Sequence, residues 1–216
     1  MKGEVAVIGL GKFGLYFAVT LVDLGFTVIG IDNRQSRVQE ARDSLHQVYK
    51  IDSTNKEALE QIGLAEVSHV LISVGDSIAA SSMIAMYAKE LGIPHVWVKA
   101  VNGDHQRLLY RLGVDEVIIP EQMAAVQLAS KVAIPGFLQY ATFDPEVSFQ
   151  ELTIDRWAGK SLRQLDLTRR YQIQVISVKK QGTDKIEYTP DPDYIFQPGD
   201  KIIILRHTNT SKKIKS

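Results

Sequence analysis

Cysteine is absent from the 216 residues, which removes a disulfide framework, thiolate metal ligands and a cysteine nucleophile together. An excess of either charge is also missing: Lys+Arg and Asp+Glu both number 25. That balance argues against sequence-independent binding to DNA or RNA, which needs a basic face. No apolar run approaches the roughly 18 residues of a membrane span, and the first residues read as a strand rather than a signal peptide. A soluble, cytoplasmic chain is expected. Catalytic signatures are scarce as well. His46, His69, His95, His105 and His207 are scattered, none with His-x-x-x-His or Glu-x-x-His metal spacing on a predicted helix, and three of them open predicted strands, where a structural role is expected. Neither a G-x-S-x-G elbow nor a Y-x-x-x-K pair is found.

What remains is ordinary globular material, 45% apolar and 23% charged. The length suits one large domain or a medium and a small one. Residues 1–140 carry 12 basic and 15 acidic groups, and residues 141–216 carry 13 and 10, a division that suggests two surfaces. Up to Pro120, short β-branched runs alternate with helical patterns. Strands are predicted at Glu4–Ile8, Thr27–Ile31, His46–Lys50, His69–Val74, His95–Lys99 and Glu116–Ile119. Helices are predicted at Lys12–Leu24, Gln35–Asp43, Thr54–Ile62, Ser77–Leu91 and Gly103–Leu112, with Gly25, Gly63, Gly92 and Gly113 as left-handed caps. The pattern is that of a doubly wound parallel α/β sheet. A helical stretch follows from Glu121, ending near Pro135–Gly136. Beyond a boundary near residue 140 come strands at Ser148–Ile154, Gln172–Val178, Lys185–Tyr188 and Lys201–Arg206, with one short helix over Lys160–Leu165. Pro198–Gly199–Asp200 reads as a turn, and the tail from Thr208 as frayed.

The strongest motif is Gly9-Leu10-Gly11-Lys12-Phe13-Gly14. It follows a buried-looking strand, opens a helix, and precedes a second strand ending in Asp32, 18 residues past Gly14. Gly9 serves the tight turn, Gly11 lets a phosphate approach the backbone, and Gly14 lets helix and strand pack closely. The helix N-terminus offers N–H groups and partial positive charge to that phosphate. Asp32 can accept hydrogen bonds from ribose hydroxyls, and it disfavours a 2′-phosphate, hence NADP, unless Arg34 compensates. Lys12 stands where the helix dipole disfavours a cation, and its charge tilts the reading toward ADP or ATP. Asp52-Ser53-Thr54 follows the third strand, at the edge where ligands of such sheets settle; Ser53 or Thr54 as a helix cap is an alternative or an addition. Ser73-Val74-Gly75-Asp76 follows the fourth strand, with Asp76 either beside the phosphates or capping the next helix. A dehydrogenase would also need a substrate domain, and the second block, about 70 residues by this count, is too small for the usual kind.

Taken in order, these motifs resemble the RCK (regulator of K⁺ conductance) family of the Ktr/Trk type, most closely the KtrA and KtrC kinds of gating subunit of bacterial potassium uptake systems. The resemblance rests on Val7–Gly14, Asp32, Asp52–Thr54, His69–Gly75, Ile93–Ala100 and Gly113–Glu121. In the second block it rests on Trp157–Leu167 and Ile195–Leu205, so it spans essentially the whole chain. It implies a Rossmann-like doubly wound parallel sheet at 1–120, a crossover and dimerisation helix at 121–140, and a small α+β C-terminal lobe at 141–216. It implies binding of ATP or ADP, or of NAD(H) as in Trk relatives, and no catalysis. Dimers would assemble into an octameric ring docked from the cytoplasm on a separate membrane-embedded K⁺-translocating subunit of the KtrB/KtrD kind, without nucleic acid. Lys12 replaces the arginine that reaches the terminal phosphate in the family, keeping charge but losing the bidentate fork. The resemblance places Phe13, Asn33, Gly75 and Lys99 at the nucleotide as well, and puts Glu121 where Mg²⁺ or Ca²⁺ is held; a dipole-favoured first-turn glutamate is the plainer role. In several relatives the C-terminal lobes bind cyclic di-AMP, for which Arg169, Arg170 and Ile173 are the candidates here, against a simply solvated arginine pair. The rival from another class is an NAD-dependent oxidoreductase.

Overall fold

The computed structural model describes residues 3–75, 77–141 and 144–207. The chain forms two compact units, Met1–Pro120 and Glu121–Ser216. The first holds β1 (Glu4–Ile8), α1 (Lys12–Asp23), β2 (Thr27–Asp32), α2 (Gln35–Ala41), β3 (Gln47–Lys50), α3 (Lys56–Gln61), β4 (His69–Ile72), α4 (Ile78–Glu90), β5 (His95–Lys99), α5 (Gly103–Arg111) and β6 (Glu116–Ile118). The six strands run parallel in the order β3-β2-β1-β4-β5-β6. The order reverses beside β1, so the loops after β1 and β4 open a crevice between them.

Strand alternation explains why helices cover both faces. Ala6 and Ile8 of β1, with Ile29, Ile31, Val70, Ile72, Val96 and Val98, form one buried cluster with Leu59 of α3, Ile84, Ala85 and Ala88 of α4 and Leu109 of α5. The intervening residues Val7, Val28 and Leu71 face the other way, against Ala18 of α1, Ala41 of α2 and Leu45. A sheet buried on both sides reads as continuous hydrophobic runs, which is how β1 and β4 read in the sequence. The helices stop where expected: Gly25, Gly63, Gly92 and Gly113 all take positive φ, between 72° and 83°. Several starts differ. Asn55, Ser77 and Asn102 cap α3, α4 and α5 by accepting the N–H of Ala58, Ala80 and His105. α3 therefore begins at Lys56, not Thr54, and neither Ser53 nor Thr54 caps it.

The second unit contains α6 (Pro120–Ala133), β7 (Phe137–Ala141), β8 (Asp144–Thr153), α7 (Leu162–Leu165), α8 (Leu167–Tyr171), β9 (Ile173–Lys179), β10 (Ile186–Tyr188) and β11 (Lys201–His207). Its antiparallel sheet has the order β10-β9-β11-β8-β7. Two elements go beyond the sequence reading. β7 begins before residue 140 and pairs with β8, burying Phe137 and Ala141. α8 is bracketed by Asp166 and Gln172, both left-handed without being glycine, so no glycine marked its ends. The Pro198–Gly199–Asp200 turn is closed by the buried Asp200, which accepts from Tyr194 Oη (2.8 Å), Gln197 N (2.9 Å) and Gln181 N (3.1 Å). The tail from Thr208 lies outside the described residues.

His105 and His69 are used structurally. His105, 2% exposed, accepts the Val101 N–H at Nδ1 (3.2 Å) and meets Ser81 Oγ at Nε2 (3.2 Å). An acceptor at Nδ1 requires the neutral Nε2–H tautomer. Burial holds His105 below the ordinary histidine value, and burial with the stacked His95 does the same for His69. As pH falls from about 6.5, the unfolded chain therefore takes up protons first, so stability is complete above that value and is lost on acidification. Urea unfolding should show a plateau near pH 7–8 and a decline toward about pH 5. His105→Gln should flatten part of that decline and cost about 1–2 kcal/mol on the plateau; an unchanged slope would refute the buried neutral imidazole.

Candidate functional site

The crevice is built from the loop after β1. Gly9 sits at φ +93°, donates its N–H to Ile31 O (2.8 Å), and lies so close to β4 that an added Cβ would be 2.8 Å from the Ser73 carbonyl. A Cβ at Gly14 would strike the Gly9 carbonyl oxygen, so the first turn of α1 can seat only on glycine. Gly11 is the N-cap, and no side chain caps the helix or adds an acidic group to its first turn. The leading N–H groups of α1 are thus left for an external acceptor.

Asp32 ends β2 and fixes this loop. It is buried, and its carboxylate accepts Leu10 N–H at Oδ2 and Arg34 N–H at Oδ1, each 2.8 Å. Each oxygen keeps a second lone pair for a ribose hydroxyl, so the residue both shapes the turn and faces its mouth. Asn33 and Arg34 are exposed beside it, Arg34 as the N-cap of α2. Lys12 is exposed at the head of α1. Phe13, half-buried, stacks on Phe17 and lies 6.0 Å beneath Lys99 Nζ. The same Nζ stands 3.9 Å from a Cβ built on Gly75. Phe13, Gly75 and Lys99 therefore gather together, while Asn33 and Arg34 adjoin Asp32.

β3 brings Asp52 to the same sheet edge, because the next residue after the strand, Ile51, donates to Asp32 O (3.1 Å). The Asp52 carboxylate accepts from Thr54 Oγ1 (2.7 Å) and Thr54 N (3.0 Å), and these bonds hold it below the usual carboxylate range. Ser53 is buried. Asp76 lies outside the described residues; Ser77 caps α4. Arg37 was not singled out by the sequence reading. A methyl at Gly11 would stand 2.5 Å from its Nη1, which places its guanidinium over the glycine turn. The available signal was a cation in the first turn of a helix, the same dipole conflict that drew attention to Lys12.

In the second unit, Glu121 is exposed in the first turn of α6. Among the described residues no three His, Cys, Asp or Glu side chains are grouped to hold a metal. Arg169 and Arg170 are exposed on α8. A groove of about 410 Å³ opens nearby, lined by Thr168, Gln172, Ile173, Gln174, Arg206 and His207 among others, with Arg169 and Arg170 outside its lining. Burial pushes the Arg206 guanidinium below its ordinary value, and arginine remains charged there. Among the described residues no helix is long and apolar enough to cross a membrane.

The TrkA-N domain matches residues 5–120 and the TrkA-C domain residues 150–215. The chain is 33% identical to the Ktr system potassium uptake protein C of Bacillus subtilis, over 98% of this chain and 96% of that protein. It is 31% identical to the Ktr system potassium uptake protein A of Vibrio alginolyticus, over 99% and 97%. Among solved structures, the GsuK channel bound to NAD is similar with TM-score 0.55 and 18% identity, over 97% of this chain and 37% of that one. The GsuK RCK domain is similar with TM-score 0.52 and 17% identity, over 96% and 44%. The chain thus spans less than half of these structures, and at such identity they speak to the fold alone. With both domain matches and these relatives in hand, the chain belongs to the TrkA-N/TrkA-C (RCK-domain) family, related to the regulatory proteins of Ktr and Trk potassium uptake.

Proposed function

We propose that this protein is a cytosolic, nucleotide-sensing gating subunit of a Ktr-type potassium transporter, in which exchange of ADP for ATP changes the shape of an RCK ring seated on a separate membrane K⁺-translocating subunit. The observation that carries this reading is the uncapped N-terminus of α1 above Gly11, with Asp32 aimed into the same mouth. Amides for a diphosphate and a carboxylate for a ribose are what an adenine nucleotide requires. NAD(H) offers the same diphosphate and ribose, and Lys12 is the feature that favours a ligand with further phosphate charge. Phe13, Asn33, Arg34, Gly75, Asp76, Lys99 and Asp52–Thr54 complete the proposed nucleotide site.

The chemistry is binding without bond-making. If ATP and ADP differ in affinity for two ring geometries by ~1–3 kcal/mol per site, several sites together give a switch. Glu121 is the proposed carboxylate for Mg²⁺ or Ca²⁺; among the described residues no group of three His, Cys, Asp or Glu completes the shell, so ligand oxygens and water would supply the rest. Cyclic di-AMP is the proposed second effector, in the groove of the C-terminal unit. Ile173 lines that groove, and Arg206 is a better placed cation than Arg169 or Arg170. Ring formation is supported by apolar side chains left on the surface: Met123, Val126, Leu128 and Val132 of α6 are 48–90% exposed, more than an isolated chain leaves on one helix without a partner.

Calorimetric titration with ATP, ADP, NADH and cyclic di-AMP, with and without Mg²⁺, tests the reading. Micromolar or tighter ATP and ADP binding is expected; NADH alone binding, together with hydride transfer to a small substrate, would establish the oxidoreductase instead. Asp32→Ala should weaken ATP and ADP alike, roughly tenfold or more, and lower stability by about 2 kcal/mol because the buried Leu10 N–H and the part-buried Arg34 N–H lose their acceptor. Lys12→Ala should weaken ATP roughly tenfold more than ADP; equal losses would take the terminal phosphate away from Lys12. Val132→Asp and Met123→Lys should reduce the assembly state seen by light scattering, with nucleotide affinity per chain retained; an unchanged mass would remove α6 from the interface.

A further inference from the structure

The position of Arg37 has no part in the reading above, and we infer that Arg37 is a phosphate-binding residue of the crevice, setting the affinity common to ADP and ATP while Lys12 sets the difference between them. The inference rests on the proposed nucleotide site and adds a residue to it.

Three observations carry it. The guanidinium lies over the glycine turn: a Cβ at Gly11 would be 2.5 Å from Nη1, 3.5 Å from Cζ and 3.8 Å from Nη2. The space a side chain would take at Gly11 is thus held by that fork. Second, the donors are uncommitted. The side chain is 33% exposed, and its approach to Asp32 Oδ2 is 4.0 Å, beyond hydrogen-bond length. Among the described residues it has no hydrogen-bonded acceptor. A planar fork of five donors, held near Asp32 by a 4.0 Å ion pair and with no hydrogen bond among the described residues, suits a phosphate. Third, the crevice has an electrostatic conflict that Arg37 relieves. Asp32 carries a buried negative charge close to where a diphosphate would add more. A cation between the carboxylate and the glycine turn turns that repulsion into two attractions. Nη1 occupies that position, near both Asp32 Oδ2 and Gly11.

The geometry also divides the work. Arg37 comes from α2 and reaches the part of the turn next to the ribose-binding carboxylate, so it meets the ribose-proximal phosphates. Lys12 stands at the head of α1, directly after the Gly11 cap. A 2′-phosphate reader would be the competing role for a cation near Asp32, and the test separates the two.

The experiment is calorimetry on the full chain with adenosine, ADP, ATP, NADPH and inorganic diphosphate, for the wild type, Arg37→Gln and Arg37→Lys. Arg37→Gln should weaken ADP, ATP and inorganic diphosphate each by roughly tenfold to a hundredfold. It should leave adenosine and the ATP-to-ADP affinity ratio unchanged. Arg37→Lys, which keeps the charge without the fork, should fall between. Arg37 makes no hydrogen bond among the described residues and only a 4.0 Å ion pair with Asp32, so Arg37→Lys, which keeps the charge, should melt with the wild type and Arg37→Gln within a few degrees of it, which guards against misfolding as the cause. Unchanged or tighter ADP binding in Arg37→Gln would overturn the inference, the latter by showing that the guanidinium obstructs the site. A loss confined to NADPH would overturn it in favour of the 2′-phosphate role. Binding of inorganic diphosphate that depends on Arg37, in a chain that binds no adenine nucleotide, would uphold Arg37 and refute the nucleotide reading; binding of neither refutes both.

Discussion

The carboxylate of Asp32 ties the end of β2 to the turn after β1 through Leu10 N–H, and to the start of α2 through Arg34 N–H. It is buried, and so is the Leu10 N–H it accepts from, so that amide could not turn to water if the carboxylate were lost. This one group sets the height of the glycine turn above the sheet, the entry of α2, and through α2 the reach of Arg37 back over Gly11. The switch in strand order beside β1 opens the crevice, and Asp32 gives it a chemical character.

The same economy appears at the helix starts. α3, α4 and α5 each have an asparagine or serine satisfying a leading N–H. α1 has none, and the residue at its cap is a glycine. A helix that leaves its positive end open at the carboxyl edge of a parallel sheet is poised for an anion. In a regulatory family the consequence is mechanical. Under the proposed function, a ligand in the turn would add contacts among β1, α1 and α2, and any difference between two ligands would become a difference in the geometry they stabilise. Sheet strands buried on both faces make a stiff base for the proposed switch.

Much of this was legible beforehand. The parallel sheet showed in β1 and β4 as unbroken apolar runs, and the caps at Gly25, Gly63, Gly92 and Gly113 in their spacing. The glycine turn and Asp32 could be read because each role admits few residue types. What could not be read depended on partners distant in sequence. Arg37 gains its meaning from a contact with Gly11, which no local pattern encodes. β7 was hidden because its five residues carry only two buried side chains, Phe137 and Ala141. α8 was hidden because Asp166 and Gln172 adopt left-handed backbone that glycine usually signals. The cap of α3 fell on Asn55 because Thr54 spends its hydroxyl on Asp52. In the C-terminal unit, the arginine pair drew the eye, while Arg206 reaches the groove from the β11 strand end.

The central claim is that an adenine nucleotide rests its diphosphate on the Gly9–Gly14 turn and its ribose on Asp32. A crystal structure of the protein grown with ADP tests it most directly. The account predicts density for a diphosphate against the Gly11 amide and ribose hydroxyls within hydrogen-bond distance of the Asp32 carboxylate. ADP found elsewhere, with the glycine turn bare at saturating concentration, would contradict it.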